Sequence, residues 1–175
     1  MKLKLLWREL RKVSILNFNV FFILLLLLCP LISKSESALI QTENFDGFLV
    51  DLAKDKNKRE VGLMKRDVLT NSNGMLFLYD KLKIVNMWMY KTKLPLDIIF
   101  IDENHRISSI RKGIPFSKNI ISSDIEVIAV LEILNNCAEK LNLKVGDEIK
   151  WSEINNKSLI NSFGMNSKRL PCLNN

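Results

Sequence analysis

Histidine is nearly missing from this chain: His105 stands alone among 175 residues, with three cysteines, four prolines and six glycines. One imidazole in the turn-like stretch Asp102-Glu103-Asn104-His105, expected to be exposed, excludes a multi-histidine metal centre, and no Cys-x-x-Cys or Cys/His pair stands at zinc spacing. No Gly-x-Ser-x-Gly elbow accompanies it, so a Ser/His/Asp or Cys/His mechanism has no motif to start from. The few cysteines also exclude a disulfide framework. If Cys29 leaves with the N-terminal segment, Cys137 and Cys172 remain, and an oxidising compartment permits but does not require their pairing.

The N-terminus reads as an export signal. Lys2, Lys4, Arg8, Arg11 and Lys12 precede an apolar block over 20–32, and Ser33, Ser35, Ser37 and Ala38 supply small residues after it. Cleavage is expected after Ser37, placing the mature chain outside the cytoplasm, periplasmic or otherwise extracytoplasmic. The alternative is an uncleaved inner-membrane anchor, but Asn17 and Asn19 interrupt the apolar run and Pro30 ends it short of the ~20 residues a spanning helix needs. A lipidated Cys29 is disfavoured by Leu28 before it and Pro30 after it. Cleavage would remove six bases and two acids, taking the net charge from +7 to +3. That excess is small, and the basic residues Lys54, Lys56, Lys58 and Arg59 are interspersed with Asp55 and Glu60. This is the pattern of a solvated face, not of a nucleic-acid binder. Membrane contact is expected only through the N-terminal segment.

Residues 45–151 read as one mainly β domain. Strand candidates rich in β-branched and aromatic residues lie at 48–54, 75–79, 84–90, 96–102, 106–111, 125–132 and 147–151. Turn chemistry separates them at Asn71-Ser72-Asn73-Gly74, at 102–105 and at Gly113 with Pro115. One short helix is expected from Asp55 toward Met64 and another from Asn135 or Asn136 to Leu141, ended by Asn142 in the left-handed region. Seven short strands without regular helical crossovers imply an antiparallel sandwich or barrel with one or two short helices. Residues 152–175 are polar, Asn-rich and without apolar periodicity, and are expected to form a loosely ordered tail dispensable for folding; Leu159, Ile160 and Phe163 could instead dock.

Four blocks carry a family resemblance: Gly62-Leu63-Met64-Lys65-Arg66, Gly74-Met75-Leu76-Phe77, the run from Trp88 through Thr92, Pro95-Leu96-Asp97-Ile98 and Phe100-Ile101, and Leu131-Glu132 with Val145-Gly146-Asp147. Together they resemble the domain of unknown function 192 over about 48–150. The resemblance implies a compact all-β domain, often carried behind a signal peptide, with no established activity. This chain departs from the family pattern at four positions. Lys91 stands where Asn is usual, Val61 where Arg is usual, and Asn136 and Asn142 where Gly is frequent. Asn tolerates the left-handed region; the other two changes remove polar groups that could serve Asp97 or a ligand.

Asp97 is the candidate for chemistry. It interrupts an apolar, strand-forming run and, in an extended strand, lies on the face of Ile99 and Ile101. A desolvated carboxyl there could act as general acid or base. Its structural alternative is an acceptor of backbone N–H groups or of Thr92, or a partner for Arg66. Met64, Met75 and Met89 near Trp88 could form a soft Cu(I) site, although core packing explains the same thioethers, with Met87 and Met89 on one face and Trp88 on the other. Two function classes remain. The first is a non-catalytic module binding a small ligand or envelope partner, with Arg66, Trp88, Met89, Thr92 and Asp97 as candidate contacts and no cofactor. The second is a hydrolase or lyase built on Asp97.

Overall fold

The structure, a computed structural model, describes residues 36–69, 72–154, 170 and 172. The basic and apolar N-terminal segment lies outside them. Among the described residues no helix is long and apolar enough to cross a membrane.

Seven strands form one mainly β sheet: β1 (Ser37–Thr42), β2 (Phe45–Ala53), β3 (Gly74–Met87), β4 (Leu96–Ile101), β5 (Ile107–Gly113), β6 (Ile121–Leu134) and β7 (Lys150–Ile154). Their order is β5-β4-β6-β3-β2-β1-β7. Every pairing is antiparallel except β2 with β3. That parallel pair is the departure from the expected antiparallel order: the chain returns across residues 54–73, which include helix α1 (Lys56–Val61). Asp55 caps α1 by accepting the Lys58 N–H at 2.7 Å, and Gly62 at φ 49° ends it.

The sheet curls until its ends meet. Ile107 donates its N–H to Asp147 at 2.9 Å, Ile149 donates to His105 at 2.8 Å, and Arg106 bridges Glu148, so the approach to β7 lies along the start of β5. The result is a partly closed barrel, not a two-sheet sandwich. Its inner side packs Ile40, Phe48, Val50, Leu76, Ile99, Ile101, Leu131 and Ile133. A second apolar cluster covers part of the outer side with Leu63, Leu69, Met75, Phe77, Met89, Ile98 and Phe100. Strand β4 runs between them with all six residues buried, which is why its sequence shows an apolar run without alternation.

The strands differ from the expected set in two ways. β1 was not anticipated, and the candidates at 75–79 and 84–90 are one 14-residue strand, β3. A cut after Ser37 would remove the first residue of β1, which pairs with Asp51 and Ile154, and would remove Glu36, whose carbonyl accepts the Leu52 N–H at 3.0 Å. A processed chain that keeps both β1 and the Glu36 bond to Leu52 therefore begins no later than Glu36.

The 152–175 tail is also revised at its ends. Ser152 and Glu153 pair with β1 inside β7, and Leu170 is fully buried, donating its N–H to Asn73 Oδ1 at 3.0 Å. Cys172 forms a disulfide with Cys137 at the start of helix α2 (Cys137–Lys140). Leu159, Ile160 and Phe163 lie outside the described residues.

Candidate functional site

Asp97 sits in β4 with its side chain fully buried on the barrel's inner side, as its alternation with Ile99 and Ile101 requires. Both carboxylate oxygens are engaged. Oδ1 accepts the Lys112 amine at 2.7 Å, and Oδ2 accepts the backbone N–H of Ala138 at 2.8 Å. Lys112 is the residue directly opposite Asp97 across the β4–β5 pair, and its amine also reaches Asn136 Oδ1 at 3.3 Å. Ala138 lies in the first turn of α2, whose N-cap Asn136 makes no side-chain capping bond. Asp97 thus replaces a local cap and ties the β4–β5 edge to the helix that carries Cys137.

The other candidates lie elsewhere. Arg66 pairs with Asp51 at 2.6 Å. Met89 is fully buried in the outer cluster, on the opposite side of the sheet from Asp97, with its Sδ against Gly113, where a Cβ would come within 2.6 Å of the sulfur. Met75 packs in the same cluster, so Met75 and Met89 serve as core filler, while Met64 is half-buried outside it. Thr92 is buried and its hydroxyl makes only a long contact of 3.5 Å with the Tyr90 carbonyl. Trp88 is more than half exposed, whereas Thr92 and Asp97 are buried. His105 is exposed and stacks on Trp151 with ring centroids 4.2 Å apart.

A second buried carboxyl went unnoticed in the sequence as a site. Glu132 in β6 points to the outer side, opposite Met75 of β3 and Ile98 of β4. Burial pushes its carboxyl from 4.5 up to about 8, so it holds a proton at neutral pH. The same row continues through Met75 to Asp51, the partner of Arg66, two strands or roughly 10 Å away. Tyr79, half-buried beside the same cluster, is pushed up to about 12, mainly by burial. Gly74 faces Glu132's backbone so closely that any Cβ there would collide with the Glu132 carbonyl. Glu132 could have been found as Asp97 was, because it too interrupts an apolar run, Val127 to Leu134.

Trp88 belongs to a different feature. The β3–β4 loop (88–95) and the β5–β6 loop (114–120) are joined by two bonds, Met89 N–H to Ser117 carbonyl at 3.2 Å and Phe116 N–H to Thr92 carbonyl at 3.0 Å. On these loops Trp88, Ile114, Phe116 and Ile120 are each more than half exposed. Phe116 adopts φ 60°, a costly conformation for an aromatic residue. Lys91 and Lys118 place their amines 4.7 and 5.9 Å from the Tyr90 ring. Lys91 is itself left-handed at φ 57°, and its carbonyl accepts the Lys65 N–H at 2.9 Å. This conformation accounts for the Asn usual at that place in the family resemblance.

The DUF192 family model, described as an uncharacterized ACR, matches residues 39–151 of this chain. The chain belongs to the DUF192 family. Two solved structures share the fold of this DUF192 domain. A candidate transcription regulator from Sinorhizobium meliloti 1021 is 33% identical with a TM-score of 0.62, the match covering 69% of this chain and 96% of that one. A protein of unknown function from Novosphingobium aromaticivorans DSM 12444 is 28% identical with a TM-score of 0.61, covering 70% and 89%. No curated protein matches the chain.

Proposed function

We propose that this DUF192 domain is a non-catalytic binding module, engaging a small ligand or an envelope partner through the joined loops that carry Trp88 and Phe116. The pairing of Asp97 supports it most directly: a carboxylate whose two oxygens are held by Lys112 and the Ala138 N–H is occupied as a structural acceptor and has no free oxygen to exchange protons with a substrate. Four exposed large apolar side chains on two hydrogen-bonded loops supply the contact surface instead. Extracytoplasmic placement has a second support beside the N-terminal segment, since the Cys137–Cys172 disulfide persists in an oxidising compartment.

The rival reading, a hydrolase or lyase, passes from Asp97 to Glu132, the buried acid that is protonated at neutral pH. A pair of variants separates the two. Asp97→Asn and the double variant Trp88→Ser/Phe116→Ser are compared for melting temperature and for retention of small molecules and envelope components, read by mass spectrometry of the purified proteins. The module account expects Asp97→Asn to lose stability and keep what it binds, and the double variant to melt as the parent and come away empty. Hydrolytic turnover on a panel of ester and glycoside substrates, abolished by Glu132→Gln in a folded protein, would overturn it.

A further inference from the structure

We propose that the Trp88/Phe116 face docks on an anionic lipid surface; the inference rests on the binding-face reading above and names its partner. The shape and charge of the face both point that way. Trp88 is 53% exposed, Phe116 60%, and Ile114 and Ile120 each 69%, so these apolar side chains stand out from their loops into solvent. The left-handed backbone at Phe116 sits in the same loop, where such strain persists only because the bonds to Thr92 and Met89 hold it. Residues 88–94 and 112–120 carry four lysines, Lys91, Lys93, Lys112 and Lys118, and no carboxylate. Lys93 is paired with Asp67 and Lys112 with Asp97. Lys91 and Lys118 have no ion pair among the described residues and flank the Tyr90 ring, which lies 5.9 Å from the Trp88 ring.

Indole, phenol and phenyl groups beside flexible ammonium groups match the boundary between acyl chains and negatively charged headgroups. Trp and Tyr settle at that depth, the aliphatic side chains enter below them, and lysines reach outward to phosphate. Two unpaired lysines favour an anionic over a zwitterionic surface by about fivefold each. Their contribution fades as salt shortens the Debye length.

The test uses the full chain; parent and lysine variant carry the same basic N-terminal segment, so their difference within one medium belongs to the face, and the readout is local. Hydroxyl-radical footprinting with mass spectrometry measures oxidation of the Trp88 and Phe116 side chains, with Trp151 as internal reference. The protein is titrated with phosphatidylglycerol vesicles, with phosphatidylcholine vesicles, and with a neutral detergent. Protection of Trp88 and Phe116 is expected with phosphatidylglycerol alone, reversed by high salt. Lys91→Gln/Lys118→Gln, which changes only exposed amines, should raise the lipid concentration needed by more than tenfold. Equal oxidation in all three media overturns the lipid proposal. Protection that appears in detergent and grows with protein concentration also overturns it, in favour of self-association, and protection that needs an added envelope protein overturns it in favour of that partner; both leave the binding face intact. Failure of the face itself shows separately, as a Trp88→Ser/Phe116→Ser variant that retains every bound component.

Discussion

Raising the pH should destabilise this domain, through Glu132. Burial moves this carboxyl from 4.5 up to about 8, so the folded chain holds a proton that the unfolded chain releases between those values. The folded state is the more protonated one. Its stability is therefore complete below pH 4.5, falls as the pH rises through the window, and levels off above about 8. At 1.36 kcal/mol for each pH unit between the two values, the loss is about 3 kcal/mol at pH 7 and approaches about 5 kcal/mol at pH 8. Small domains have only about 5–15 kcal/mol in total, so the effect is large enough to measure directly. Glu132→Gln keeps the shape and cannot ionise. Urea denaturation of parent and variant at pH 5, 6, 7 and 8 should give nearly equal stabilities at pH 5, a falling midpoint for the parent, and a variant that overtakes it by several kcal/mol at pH 8. A difference between the two proteins that is the same at pH 5 and pH 8 would refute the reasoning, since Glu132 would then not change protonation on folding.

Truncation after Trp151 removes the last three residues of β7, buried Leu170 and the Cys137–Cys172 link, so it should strongly lower the melting temperature. The disulfide alone, closing a loop of sequence separation 35, is worth about 4 kcal/mol in the chain-entropy account, and thermal unfolding with and without reductant measures it. Gly74→Ala drives a methyl into the Glu132 carbonyl and should cost more than about 3 kcal/mol by chemical denaturation; a variant as stable as the parent would show that β3 and β6 can part at that point.

The β character was legible because most strands here are half-buried or fully buried and rich in β-branched residues. Where burial lapses, so did the signal. The middle of β3, from Tyr79 to Ile84, is half-exposed or exposed on both faces and reads as a break, although the strand runs through it. β1 was hidden by small residues that suggested processing. Asn142 behaves as its sequence context implied, with φ 54° after α2. Asp97 was singled out correctly as a buried carboxylate, but its partners depend on pairings remote in sequence: Lys112 is brought opposite by strand register, and Ala138 by the packing of α2. Arg66 was available to it on paper and is taken by Asp51, which becomes its neighbour only when β2 is in place. Phe116 carried no local signal at all, because a bulky residue held left-handed on an exposed loop follows from the neighbouring loop that fixes it.

Denaturation of the parent, Asp97→Asn and Asp97→Leu at pH 7 tests most directly whether Asp97 is a structural acceptor. The amide can still accept one hydrogen bond, so Asp97→Asn should cost about 1–3 kcal/mol. Asp97→Leu leaves the buried Ala138 N–H without an acceptor and the half-exposed Lys112 amine without its partner, and it should be the least stable of the three. An Asp97→Leu protein as stable as the parent, or more so, would contradict the account and return Asp97 to the list of groups kept for chemistry at the expense of stability.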